Sequence, residues 1–131
     1  MTYHLKVFEM MSYHLNSVNA SKPTKGLFTD ATYEIYCSED CKIPVNERVI
    51  IKTDIGFTFP PRYCGVLLSN PELSKGKIDM INSVVNSGGK SIEVLLINNS
   101  CNDFYVFKGD KIALMLIQKY FDHFFMYEIR K

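Results

Sequence analysis

Tryptophan is absent from this 131-residue chain, histidine is limited to three positions, and neither sign of charge predominates: 15 Lys and Arg stand against 14 Asp and Glu, a net charge of +1. Charges so balanced and so scattered give no basic stripe for a phosphate backbone and no field that draws the chain to an anionic membrane. Neither nucleic acid nor membrane is an expected partner. Long apolar runs are missing as well. The longest, Ile112 to Ile117, is far shorter than the roughly 20 residues a bilayer-spanning helix needs. The first ten residues mix His4, Lys6 and Glu9 among their apolar side chains and cannot form the uninterrupted centre of a secretory signal. The expectation is an intracellular protein, in cytoplasm or nucleus, and not a secreted one. Cys37, Cys41, Cys64 and Cys101 then read as reduced, partly buried thiols. A zinc site on Cys37 and Cys41 would need two further ligands, and His4, His14 and His123 have no ligand-like spacing to them or to one another. No metal is expected from these residues.

What is present is a globular balance, with 47% apolar and 22% charged residues, nine Phe and eight Tyr. A chain of this size forms one domain and buries roughly two-thirds of its unfolded surface, so residues 1–131 are read as one unit. No stretch keeps helical periodicity for three turns. Short runs rich in β-branched and aromatic residues recur instead between turn residues, the pattern of an all-β sandwich or barrel. Strands are expected near Leu5–Met10, Tyr33–Cys37, Val49–Asp54, Phe57–Phe59, Gly65–Leu68, Ile78–Ile81, Ile92–Asn98, Phe104–Phe107, Ala113–Ile117 and Phe124–Ile129. Pro44, Pro60-Pro61, Asn70-Pro71, Ser87-Gly88-Gly89 and Lys108-Gly109-Asp110 break them. Any helix is at most one short turn. Residues 11–30 are polar and read as a surface connection. The runs Val94–Ile97 and Ile112–Ile117 are apolar on both faces, which predicts cover on both sides.

Several segments, in order, carry a resemblance. Pro23-Thr24-Lys25-Gly26 is followed by Ala31-Thr32-Tyr33-Glu34-Ile35-Tyr36, then Ile43-Pro44, Ile51-Lys52-Thr53-Asp54-Ile55 and Phe59-Pro60-Pro61. Later come Leu95-Leu96-Ile97-Asn98-Asn99 and Lys108-Gly109-Asp110-Lys111-Ile112-Ala113. From Lys22 to about Glu128 this order resembles the trimeric dUTPase family, its eukaryotic and poxviral members in particular. The resemblance implies a distorted, jelly-roll-like β-barrel in a homotrimer, with a C-terminal strand that crosses to a neighbouring subunit.

The departures fall at the motifs that serve the family's chemistry. Glu34 stands for the Asp of the first motif, Ala-Gly-Tyr-Asp-Leu in the family. The second motif, Pro-Arg-Ser-Gly, reads Ser69-Asn70-Pro71-Glu72. Asn70 thus replaces a phosphate-binding Arg, Pro71 replaces a hydroxyl, and Glu72 adds a negative charge. Asn86 stands for the third-motif Asp that activates water, and an amide has no proton-accepting pKa near neutrality. The loop after it, Ser87-Gly88-Gly89-Lys90, is about one residue shorter than the family's and lacks its deoxyribose-stacking Tyr. Leu114 stands for a phosphate-binding Gln. With the chain ending at Lys131, the Gly-rich fifth motif is also expected to be missing.

On these departures the sequence predicts a catalytically inactive scaffold, a pseudoenzyme of viral origin that presents surface to unidentified host proteins in an infected cell. No catalytic residue and no cofactor are expected, Mg being implied only if the enzyme survives. The alternatives are a diverged, active dUTP diphosphatase and a sensor that binds the nucleotide without cleaving it. Phe121, Phe124, Phe125 and Tyr127, with His123 among them, are the expected oligomer interface. Degenerate members of this length include the dUTPase-derived adenoviral proteins of early region four, whose C-terminus PDZ domains read. The terminal Lys131 here lacks the apolar side chain such a pocket takes, so no PDZ partner is expected.

Overall fold

The computed structural model describes residues 10–27, 30–122 and 124–130. Among these, eleven strands and one short helix follow in the order β1 (Ser12–Leu15), β2 (Thr32–Tyr36), β3 (Cys41–Ile43), β4 (Arg48–Lys52), β5 (Ile55–Thr58), β6 (Tyr63–Ser69), α1 (Pro71–Lys75), β7 (Ile78–Met80), β8 (Ser83–Val85), β9 (Glu93–Asn98), β10 (Phe104–Val106) and β11 (Lys111–Lys119). The strands pair in four antiparallel sheets: β1–β5, β3–β10, β2–β11–β6–β8 and β4–β9–β7.

Strand β11 is the spine of the largest sheet. It pairs with β2 on one side and β6 on the other, so Leu114 lies opposite both Glu34 and Leu68. A register shift between Lys111 and Ala113 lets Ile112, Ala113 and Met115 all turn into the core, as a bulge does by adding a residue to one strand. Alternation on β9 buries Val94, Leu96 and Asn98 and leaves Leu95 and Ile97 half-buried. Leu114 and Leu116 on β11 are likewise half-buried. The two-faced apolar character is real, but one chain covers only one face fully. The sheets close on a core of Ile35, Ile43, Ile51, Leu67, Leu96 and Met115 with their neighbours.

A buried amide ties the far end of this core together. Asn98 is fully buried, and its Nδ2 donates to the carbonyls of Ile43 and Asn102 at 2.8 Å each. Its Oδ1 accepts from the backbone N–H and the hydroxyl of Ser100, so every polar group of the side chain is used.

Two expectations need correction, and a third falls almost wholly outside the described residues. Residues 11–30 are not all connection, because Ser12–Leu15 pairs with Thr58–Ile55 of β5. The strand expected at Leu5–Met10 lies outside the described residues except for Met10, which is exposed and not in a strand. Residues 124–129 form no strand. Their aromatic composition favours extended backbone, but a strand also needs a ladder, and the described residues build none there.

Candidate functional site

The positions singled out in the sequence fall into two groups. Glu34, Asn70, Pro71, Glu72 and Leu114 come together where β2, β6 and β11 meet the start of α1. Leu114 on β11 lies between the two sides, with Glu34 across from it on β2 and Leu68, shortly before Asn70, across from it on β6; Glu34 reaches the cleft beside Asn70 only through its partner Lys111. The Glu34 Oε1 pairs with Lys111 Nζ at 3.2 Å, and its Oε2 accepts from the hydroxyls of Thr24 and Tyr36, each at 3.2 Å. This carboxylate is held on both oxygens. Lys111 is therefore a site residue that the motif order contains but does not single out.

Asn70-Pro71-Glu72 has a local explanation of its own. Asn70 adopts extended backbone and its Oδ1 accepts from Glu72 N at 3.0 Å, Pro71 takes the first helical position, and Glu72 sits in the first turn. These are the residue types that start a helix, through side-chain capping, a pre-set φ and a favourable dipole contact. Asn70 Nδ2 also donates to the Lys111 carbonyl at 3.2 Å, which locks the helix start to β11. Asn70, Glu72, Asp110 and Lys111 line a cleft of about 440 Å³.

Asn86 lies elsewhere. It is exposed just past β8, and with Ser83, Ser87, Lys90, Ser91 and Glu93 it lines a second cleft of about 270 Å³. The loop beyond it is anchored to β5. Gly88 N and Gly89 N both donate to the Phe57 carbonyl, at 3.2 and 2.9 Å, and Ile92 N donates to the Ile55 carbonyl at 2.8 Å. The Ser87 hydroxyl accepts from Phe59 N and donates to Phe59 O. Gly88 and Gly89 take φ of +133° and +74°, the region that glycine enters without strain. The two clefts share no lining residue.

The proposed interface residues stand out from the barrel: Phe121, Phe124, Phe125 and Tyr127 are 80, 97, 90 and 88% exposed. His123 lies outside the described residues. Asp54, by contrast, is satisfied within the chain, accepting from Ser17 Oγ at 2.8 Å through its carboxylate.

Fold and clefts together define a small antiparallel β-barrel domain with a divided polar site, one part acidic and basic, the other built on a glycine loop. The family model described as dUTPase matches residues 18–129. The chain is 34% identical over 116 residues to the deoxyuridine 5'-triphosphate nucleotidohydrolase of Saccharomyces cerevisiae, spanning 87% of this chain and 79% of the relative. It is 34% identical over 122 residues to the enzyme of the same name from Monkeypox virus, spanning 86% and 81%. The chain belongs to the dUTPase family. A mutant dUTPase of phage phi11 of S. aureus, whose structure describes coordination of a structural Mg(II) ion, superposes with a TM-score of 0.84 at 20% identity, covering 93% of this chain and 97% of that one. The all-β, dUTPase-type barrel is the fold.

These findings correct the functional expectation. The relatives, at 31 to 36% identity over most of the chain, are named as nucleotidohydrolases, which overturns the reading of an inactive scaffold and the host-interaction role attached to it. They favour the diverged, active enzyme. The Mg(II) of the phage enzyme likewise overturns the expectation that no cofactor is involved. Physically, taking the motifs one at a time assigns each altered side chain an independent cost. The structure shows that Asn70, Pro71 and Glu72 act jointly as a helix start, and that Glu34 keeps a carboxylate held by Lys111.

Proposed function

We propose that the chain hydrolyses dUTP to dUMP and pyrophosphate, the reaction named for its relatives; their identity to it across the whole barrel carries this reading. The acidic and basic cleft takes the triphosphate. Lys111 offers the positive charge, and Glu34, held by Thr24 and Tyr36, fixes where that charge sits. The glycine-loop cleft takes the nucleoside, with Val84, Val85 and Ile92 as apolar walls and the Ser83, Ser87 and Ser91 hydroxyls as polar contacts.

Water attacks the α-phosphorus as the bond to the bridging oxygen of the β-phosphate breaks, and the pyrophosphate leaves with that electron pair. The Asn86 carbonyl oxygen accepts a hydrogen bond from the water and orients it, while the proton departs to solvent or to a phosphate oxygen, since an amide cannot take it. The donor set fits Mg. No described cluster of three His, Cys, Asp or Glu forms a protein cage, but hard oxygens from Glu72, Asp110 and Asn70 border the triphosphate cleft. One or two carboxylates beside substrate phosphates are what Mg uses. When bound, the ion neutralises developing phosphate charge.

The two clefts share no lining residue in one chain, an arrangement that suits a nucleotide held between copies. That supports a homotrimer with exchanged C-terminal segments, and the exposed aromatic residues 121–127 are its contact surface. Four free thiols support a reducing, intracellular setting. Pyrophosphate release from dUTP with Mg, compared with Lys111→Ala, tests the assignment. Release that the substitution lowers about tenfold or more is expected; release no greater than in a protein-free control overturns it.

A further inference from the structure

We propose that Asn16, backed by His14, is a positioning residue that straps the loop following Asn86 and so sets the nucleoside cleft; the inference rests on the hydrolytic reading above. The loop is glycine-rich and short, and the β5 carbonyls hold it from one side only. The other side is held by the end of β1. Asn16 Nδ2 donates to the Gly89 carbonyl at 3.1 Å and to Ser91 Oγ at 2.7 Å, and Asn16 is itself fixed by its backbone N–H on the Asp54 carbonyl at 2.8 Å.

His14 completes the grip. Its Nε2 lies 2.7 Å from Thr58 Oγ1, and its ring is so close to Gly89 that a Cβ there would stand 3.1 Å from Cδ2. Across the ladder from His14 lies Gly56, where a Cβ would collide with the Gly89 carbonyl. Gly89 is thus clasped between β1 and β5. Two glycines at positive φ leave a loop that many conformations could satisfy, so its order has to come from outside. Asn16 supplies two directed bonds from 73 and 75 residues away. Asn86 opens the loop and Lys90 lies between the two strapped residues, Gly89 and Ser91; both line the nucleoside cleft, so the strap fixes their separation before substrate arrives. Such preorganisation lowers the ordering cost of binding.

Two variants of the full chain test this. Asn16→Ala removes the side chain; Asn16→Asp keeps its volume and can still accept from the Ser91 hydroxyl, but cannot donate to the Gly89 carbonyl. Both are expected to speed amide hydrogen exchange at Gly88 and Gly89 by about tenfold, as loss of one directed bond does, while the amides of β11 keep their rates. Both are also expected to raise KM for dUTP by a larger factor than they lower kcat. Unchanged exchange at Gly88 and Gly89 in either variant overturns the proposal. So does an equal rise across β11, or a local rise that leaves KM and kcat unmoved. Exchange is read without nucleotide, so a parent chain inert toward dUTP would sink the hydrolytic reading while exchange still judged the strap.

Discussion

If Asn86 takes the place of the carboxylate that the resemblance implies, the exchange removes a proton acceptor and keeps a hydrogen-bond acceptor. A positioned general base contributes about 10²–10⁴-fold, so Asn86→Asp is expected to raise kcat on dUTP by about tenfold or more. Pyrophosphate release at saturating substrate measures it, and an unchanged rate would show that the proton leaves by a route the new carboxylate cannot shorten. Cys37 offers a second residue-scale test. Burial pushes its thiol above the ordinary value of 9.0, against the hydrogen bond to the Glu39 backbone, which lowers it, and the nearby Cys41, Asp110 and Glu39 charges add smaller upward pushes. The native chain therefore keeps this proton at a pH where the unfolded chain gives it up. Its stabilising contribution is complete below the unfolded value and is lost as pH rises through the raised one. Thermal midpoints of the parent should fall on that alkaline limb more steeply than those of Cys37→Ala; parallel limbs would contradict the assignment.

Elements explain what can and cannot be read from the sequence. Strands β9 and β11 are legible because their apolar runs are long, and β4 because its run is β-branched throughout. The three-residue β3 and β8 are too short to show alternation, and β1 sets Tyr13 and Leu15 against Ser12 and His14 over only four residues, too brief a pattern to stand out from the polar stretch around it. The C-terminal aromatics read as a strand through propensity and through the resemblance, and neither supplies a ladder within one chain. At the site, Glu34, Asn70 and Leu114 are legible from motif order. The Lys111 pair and the Asn16 strap are not, because each joins residues far apart in sequence. Asn98 reads as the end of a strand beside a turn, yet it carries the most completely used buried side chain of the barrel. Asn98→Leu strands the buried Ile43 carbonyl, while the Asn102 carbonyl and the Ser100 donors lie nearer the surface and keep each other and water as partners. The substitution is expected to cost about 1–3 kcal/mol in urea unfolding, the range for a buried polar group left unsatisfied; a cost below about 0.5 kcal/mol would mean that water replaces the amide.

On the scale of the whole molecule, two clefts with no common residue and an aromatic segment left exposed on its own barrel both point to a second copy. Sedimentation of the full chain at micromolar concentration should give a trimer, and removal of residues 121–131 should lower both its mass and its turnover; an active monomer would mean that one chain builds the site alone. The central claim, that this barrel cleaves dUTP, is tested most directly under single-turnover conditions, with protein in excess over radiolabelled dUTP and with Mg present. That arrangement reads the chemical step even where steady-state turnover is slow. Bound dUTP is expected to convert to dUMP in a single exponential, faster for Asn86→Asp and slower for Lys111→Ala. Intact dUTP after hours of incubation, with nucleotide bound or unbound, would contradict it.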